Sequence, residues 1–366
     1  MVPLAALGAV LVVAAGVDLF LTVFNHDGFR FVAARFQRLL YRLIRSLTAA
    51  APARARHAVL SIASAGLVPA TVALWLALEV VGFALTFLPG IHGAGFALRG
   101  ARRSFGVAAY LSAGAISSLT FGDVTPRSGL DRALVDLETI VGLSTFTLAL
   151  GYVVTTFGVL NALDALHGLV RRHAEHPERP SSIVARHFRG GEPADLPSFL
   201  QELGDKLEAY DQGLRRYPVV YTFHTRRRDR SIPHIFATLG ELLELRRFGL
   251  PRTEPMTEDP YLAALLDGYV ETVDRLRRSF VGPDPLDLPE PLSREKFRTA
   301  DDLLVSEFRR LEQLAREAAD LSDGRDDEGA RYERYAEWLP FHCLHRIVLD
   351  RVADNLVYER PSERRR

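Results

Sequence analysis

The sequence predicts an all-α membrane protein: three transmembrane helices and a re-entrant half-length helix with its loop, followed by a helical cytoplasmic domain. Three observations lead there. Residues up to about 165 are dominated by Ala, Val, Leu, Gly and Phe, whereas the rest of the 366-residue chain carries most of the acidic residues in mixed-charge runs. The apolar half holds three stretches of bilayer-spanning length and one shorter stretch. The basic residues beside these stretches cluster in one short connection.

A helix crossing the hydrocarbon core needs about 20 predominantly apolar residues. The first stretch runs from about Pro3 to Phe24 and is interrupted only by Asp18. A cleaved signal peptide would carry a basic n-region, and Met1-Val2-Pro3-Leu4 has no charge, so a retained helix is expected. The second stretch lies within Val59 to Leu88, with Pro69 as a kink or entry point and Pro89-Gly90 as a stop. The third runs from about Ala133 to Leu163. Between them, Ser104 to Ser118 is apolar but too short to cross, and turn formers follow it from Leu119 to Pro126. Non-helical backbone at membrane depth must be buried in protein or line water, which describes a re-entrant loop.

Orientation follows from charge. Arg30, Arg35, Arg38, Arg42, Arg45, Arg54 and Arg56 lie between the first and second spans, and Arg171 and Arg172 follow the third. Both ends should therefore face the cytoplasm and the N-terminus the outside, against the smaller external group Arg99, Arg102, Arg103 and Arg127. The stretch from Phe31 to Leu43 combines Arg35, Arg38 and Arg42 with Phe36, Leu39, Leu40 and Tyr41, a pattern that predicts a basic amphipathic helix at the membrane surface.

The order of helix, short helix, turn and helix resembles the pore module of two-transmembrane potassium channels. The run Ser118-Leu119-Thr120-Phe121-Gly122-Asp123, with Pro126 behind it, is similar to that family's Thr-Val-Gly-Tyr-Gly-Asp filter and exit. The resemblance implies a homotetramer whose four loops conduct a monovalent cation, potassium, with Ser118 to Asp123 as the filter and ion-binding residues. It implies that Asp123 supports the filter from behind, and that Gly142 stands where the family often has a hinge. One residue departs: Thr120 occupies the place of the family's first glycine. A β-branched residue resists the positive φ a glycine accepts, so strict potassium selectivity does not carry over.

The predicted sections are 1–24, an N-terminal transmembrane helix; 25–58, a basic amphipathic cytoplasmic linker; 59–165, the pore domain; and 166–366, the helical cytoplasmic domain. Ionisable residues within spans are costly and hence functional candidates: Asp18, Glu79 and Glu138, with Asp136 nearer the outer end and hydrated or paired with Arg132. Glu79 is placed to brace the short helix through Arg102 or Arg103.

Helical spacing of apolar residues recurs at Phe199–Leu214, Ile232–Leu245, Tyr261–Phe280, Ala300–Leu321 and Trp338–Val357. The run Tyr217–Tyr221 reads as an extended connector, and Asp323–Gly329 as a mobile loop. His342-Cys343-Leu344-His345 puts two imidazoles on one helix face, but a metal needs a further ligand, so packing is the expectation. The run Arg226 to Arg230 is a solvated patch or an anionic-lipid contact.

Balanced totals of 45 basic and 45 acidic residues leave no field for nucleic acid. The single cysteine, Cys343, excludes an internal disulfide. No strand followed by G-x-G-x-x-G, no phosphate loop and no nucleophile–base motif suggests an enzyme, so no cofactor is expected beyond the permeant cation. The alternative to a conducting channel is a membrane-anchored sensor or scaffold with a non-conducting pore domain.

Overall fold

The computed structural model describes residues 2–24, 31–100, 102–119, 122–174, 180–187, 196–251, 259–282, 286–299, 302–319 and 327–365. Arg30, Thr120 and Phe121, and most of the loop expected at 323–329, lie outside them. The chain divides into two units, 1–158 with 213–224, and 159–212 with 225–366.

Among the described residues, three helices are long and apolar enough to span a membrane: α1 (Val2–Phe24), α3 (Ala53–His92) and α5 (Gly129–His173). Between α1 and α3 lies α2 (Val32–Leu47), and between α3 and α5 lies the short apolar α4 (Phe105–Ile116). Both longer spans exceed their expected limits. At about 1.5 Å per residue α3 is about 60 Å long and α5 about 68 Å, twice the hydrocarbon thickness of about 30 Å. Pro89 does not stop α3, and both Pro69 and Pro89 lie inside it. Membrane helices tolerate proline because leaving the helix in an apolar medium would strand more backbone groups than the ring removes. Ser128 opens α5 as its N-cap: its hydroxyl accepts from the Asp131 amide at 3.0 Å and donates to the Asp131 carboxylate at 2.5 Å.

In the first unit α1 packs along α3 where Gly8 faces Gly82. A Cβ on Gly8 would fall 2.3 Å from the Gly82 carbonyl oxygen, so only glycine permits this backbone approach. A second apolar cluster joins Phe83, Phe87, Leu88 and Ile91 of α3 to Phe96, Ala108 and Val124.

Asp18 anchors α2. Its Oδ1 accepts from the amides of Phe31 (3.1 Å) and Val32 (2.8 Å), and Oδ2 from the Ala33 amide (3.0 Å) and the Trp75 indole (2.8 Å). The carboxylate in the first span is therefore a helix cap, favoured by the positive end of the α2 dipole. The buried face of α2 is Ala33, Gln37 and Tyr41, and Gln37 donates to Thr71 at 2.9 Å and Tyr152 at 3.0 Å. Its exposed faces carry Arg35, Arg38 and Arg42 beside Leu39, Leu43 and Leu47. Asp18→Ala is expected to cost about 2 kcal/mol, the upper value for a lost cap. Hydrogen exchange would show the α2 amides losing protection, and unchanged protection would refute the anchoring role.

The run read as an extended connector is a 3₁₀ helix, Pro218–Thr222. Proline in its first position presets a helical φ, while Val219, Val220 and Tyr221 bury themselves; a short apolar run has no periodicity that would separate the two conformations.

The second unit is mainly helical, with no strand among its described residues. Its elements are the last part of α5, α6 (Ser181–His187), α7 (Leu196–Arg216), α8 (Ile232–Arg247), α9 (Pro260–Leu276), α10 (Arg294–Thr299), α11 (Leu303–Ala319) and α12 (Glu328–Leu356). Every helical segment expected there forms, and α6 and α10 are additional. Phe297, Tyr335, Phe308 and Trp338 make its aromatic core, with ring centroids 4.7 to 6.3 Å apart from pair to pair. Arg334 is buried in this core. It donates to the carbonyls of Phe248 and Leu250 beyond the end of α8, and to Glu312 of α11, each at 2.9 Å.

Candidate functional site

Ser104 caps α4, accepting from the Val107 amide at 3.4 Å. Twelve residues later the helix closes with a Schellman turn. The Leu119 amide reaches back to the Gly114 carbonyl at 2.7 Å and the Ser118 amide to Ala115 at 3.0 Å. That turn requires a left-handed residue, and Ser118 takes it with φ +58°. Ser117, Ser118 and Leu119 leave the helix exposed.

Description resumes at Gly122, exposed and with φ +74°, and at Asp123. From there the chain is tied back by a two-stranded antiparallel sheet that the sequence did not announce. Strand β1 (Phe96–Leu98) pairs with β2 (Val124–Pro126), Phe96 against Pro126 and Leu98 against Val124. The Arg99 amide extends the ladder to the Asp123 carbonyl at 2.9 Å. Asp123 Oδ1 accepts from the Val124 amide at 3.1 Å and lies 3.4 Å from the Tyr110 hydroxyl on α4.

Behind α4, α5 presents Glu138, Gly142 and Thr145 at spacings of four and three, a single helix face. Glu138 is fully buried and accepts from Ser112 of α4, whose hydroxyl also lies 3.0 Å from the Val80 carbonyl. Thr145 donates to Glu79 of α3 at 2.6 Å, and Glu79 too is fully buried. Gly142 meets the end of α4: a Cβ there would lie 2.6 Å from the Ile116 carbonyl oxygen and 2.9 Å from its Cα.

Several expected residues therefore sit together and others do not. The partner of Glu79 is Thr145 rather than Arg102 or Arg103; Arg103 donates to the His92 carbonyl at 2.5 Å instead. Glu138 is the acid that braces the short helix, and Asp136 is exposed. Asp18 belongs to the α2 anchor, away from this group. Gly142 is a contact point between backbones, which by itself explains the missing side chain. Ser112 went unnoticed, although a lone hydroxyl in the middle of an apolar helix is the kind of residue that seeks a buried partner.

The three spans and this helical architecture define the chain as an all-α integral membrane protein. It is similar to a protein of Bacillus subtilis (strain 168) described as the uncharacterized membrane protein YdjJ, with 22% identity over 233 residues, covering 64% of this chain and 67% of that one. No family model matches the sequence. No solved structure matches it either.

Proposed function

We propose that the chain is one subunit of a homotetrameric cation channel of the potassium-channel type, passing monovalent cations passively. The observation that carries this reading is the re-entrant unit. A twelve-residue apolar helix ends in a left-handed turn at Ser118, the backbone runs exposed through Leu119, and Gly122-Asp123 return to a sheet against the end of α3. Exposed polar backbone of this kind belongs at membrane depth only beside water. Four copies around an axis supply that water and a ring of carbonyls from Ser118 to Asp123. The C-terminal end of α4 adds about half a negative charge, which favours a cation. On α5, Leu137, Ile140, Leu143, Leu150, Val154 and Phe157 stay exposed in the single chain, leaving apolar area for neighbouring copies and lipid. The N-terminus lies outside, the second unit in the cytoplasm, and α2 rests its leucines and arginines on the inner, anionic leaflet.

The test is flux. Purified protein reconstituted in liposomes is expected to pass potassium, with sodium as the comparison that reads the effect of Thr120. Gly122→Ala has open space around its new Cβ but forces alanine to φ +74°, so it should abolish flux while leaving the melting temperature nearly unchanged. Mass measurement in lipid should find four copies. Absence of flux in every state, or another stoichiometry, would remove the reading. Thr120 is the specific observation favouring a non-conducting sensor or scaffold, and that second reading predicts cellular function surviving Gly122→Ala.

A further inference from the structure

The second unit brings together three donors that the sequence keeps apart. Glu244 on α8 and His342 and His345 on α12 are all buried, and their ligand atoms lie within 4.8 Å of one another. Glu244 Oε1 is 2.6 Å from His342 Nδ1 and 3.7 Å from His345 Nε2. We infer that these residues form a binding site for a divalent transition metal ion of the zinc type.

The ring nitrogens facing away from the cluster supply the first independent argument. Metal-binding imidazoles almost always direct their other nitrogen to a carboxylate or a backbone carbonyl, which fixes the tautomer and aims the lone pair. Both kinds of partner are present. His342 Nε2 meets Glu307 Oε2 of α11 at 3.1 Å, and His345 Nδ1 donates to the Phe341 carbonyl at 3.0 Å. The second arrangement turns Nε2 of His345 to the side of the Glu244 carboxylate, 3.7 Å away. A cation between them suits both groups.

Glu307 is itself held by Arg346 at 2.9 and 3.1 Å, so the guanidinium nearest the cluster is already compensated. A cavity of about 20 Å³, lined by His342, His345, Glu241 and Asp350 among others, adjoins the two imidazoles. It has room for one water. Zinc takes three protein ligands and a water when one position stays open, and a His₂Glu set is among those it uses. With tetrahedral bonds of about 2.0–2.2 Å an ion holds its donors about 3.4 Å apart, so the Glu244–His345 pair already fits. The Glu244–His342 pair opens from 2.6 Å as its proton leaves, and side-chain rotation brings in the remaining separation, at most 4.8 Å. On binding, the metal replaces the proton that His342 Nδ1 shares with Glu244, and that proton leaves to solvent. The ion would staple α8 to α12. Cys343 lies between the two histidines in sequence but outside the donor set.

Full-length protein in detergent, stripped with a chelator and dialysed against zinc, is expected to retain one ion per chain and to melt at a higher temperature. His345→Ala should lose the ion, Glu307→Gln should bind about 10–100-fold more weakly, and Cys343→Ser should be unchanged. Elemental mass spectrometry reads the stoichiometry. Wild-type zinc no greater than that of His345→Ala, or an unaltered affinity in Glu307→Gln, would overturn the assignment. Should His345→Ala fail to fold, cobalt(II) added to the wild type decides. Tetrahedral ligand-field bands without thiolate charge transfer support this donor set, and a thiolate band or no tetrahedral spectrum refutes it.

Discussion

Gly142→Val is expected to destabilise the first unit by about 3 kcal/mol, the upper end for overpacking, and to abolish any flux. The alanine Cβ alone would stand 2.6 Å from the Ile116 carbonyl oxygen, and valine adds two methyl groups. The obstructing atoms are backbone, so no rotamer change on α4 relieves the clash. Either α5 moves away, breaking the Ser112–Glu138 and Thr145–Glu79 hydrogen bonds on the same face, or the last turn of α4 moves and carries Ser118 with it. Thermal melting in detergent measures the first effect and liposome flux the second. Gly142→Ala should fall between the wild type and valine. A valine variant that melts like the wild type would show that the helices have room the structure denies them.

Arg334→Ala is expected to cost about 3 kcal/mol in the second unit, the lower value for a broken buried pair, because it removes one of the two guanidinium partners of Glu312 and leaves the Phe248 and Leu250 carbonyls without their donor. Glu312 is about 3% exposed, so water cannot take over the role of the guanidinium. Arg331 still reaches Glu312 from the surface and tempers the loss. Replacing both members, Arg334→Met with Glu312→Leu, should recover the part of the loss that comes from Glu312, since an apolar pair needs no compensation, but not the part that comes from the Phe248 and Leu250 carbonyls. The two tryptophans make the experiment selective: Trp75 is in the first unit and Trp338 packs beside this core in the second. Denaturation followed by fluorescence in a Trp75→Phe background should show the midpoint falling. A single Arg334→Ala variant as stable as the wild type would refute the argument.

What the sequence made legible was whatever depends on near neighbours. Apolar length revealed α1, α3 and α5, and period marked the helices of the second unit, because both properties are local. Their ends were less legible: α3 runs through Pro89 and α5 continues past Leu163 to His173. Composition marks where lipid ends, and helices continue beyond it. The acids were recognised as costly, but their partners were not. Glu138 meets Ser112 and Glu79 meets Thr145 across 26 and 66 residues, contacts that no spacing rule reaches. Glu244 and His342 lie 98 residues apart, which is why the paired histidines looked one ligand short. The β1–β2 pairing was hidden for another reason: three-residue strands carry too few residues for alternation to register.

The cap on α2 also bears on the order in which the chain enters a membrane. Before α2 folds, Asp18 lacks its N–H partners in an otherwise apolar segment; an acid opposes insertion by about 2.5–3.5 kcal/mol at the centre of a span, and by less toward its end, where Asp18 lies. Three of its four N–H donors belong to Phe31, Val32 and Ala33, which follow within fifteen residues, and the fourth, Trp75, arrives only with the next span. Stable insertion of the first helix is therefore a cooperative event that waits for the chain behind it.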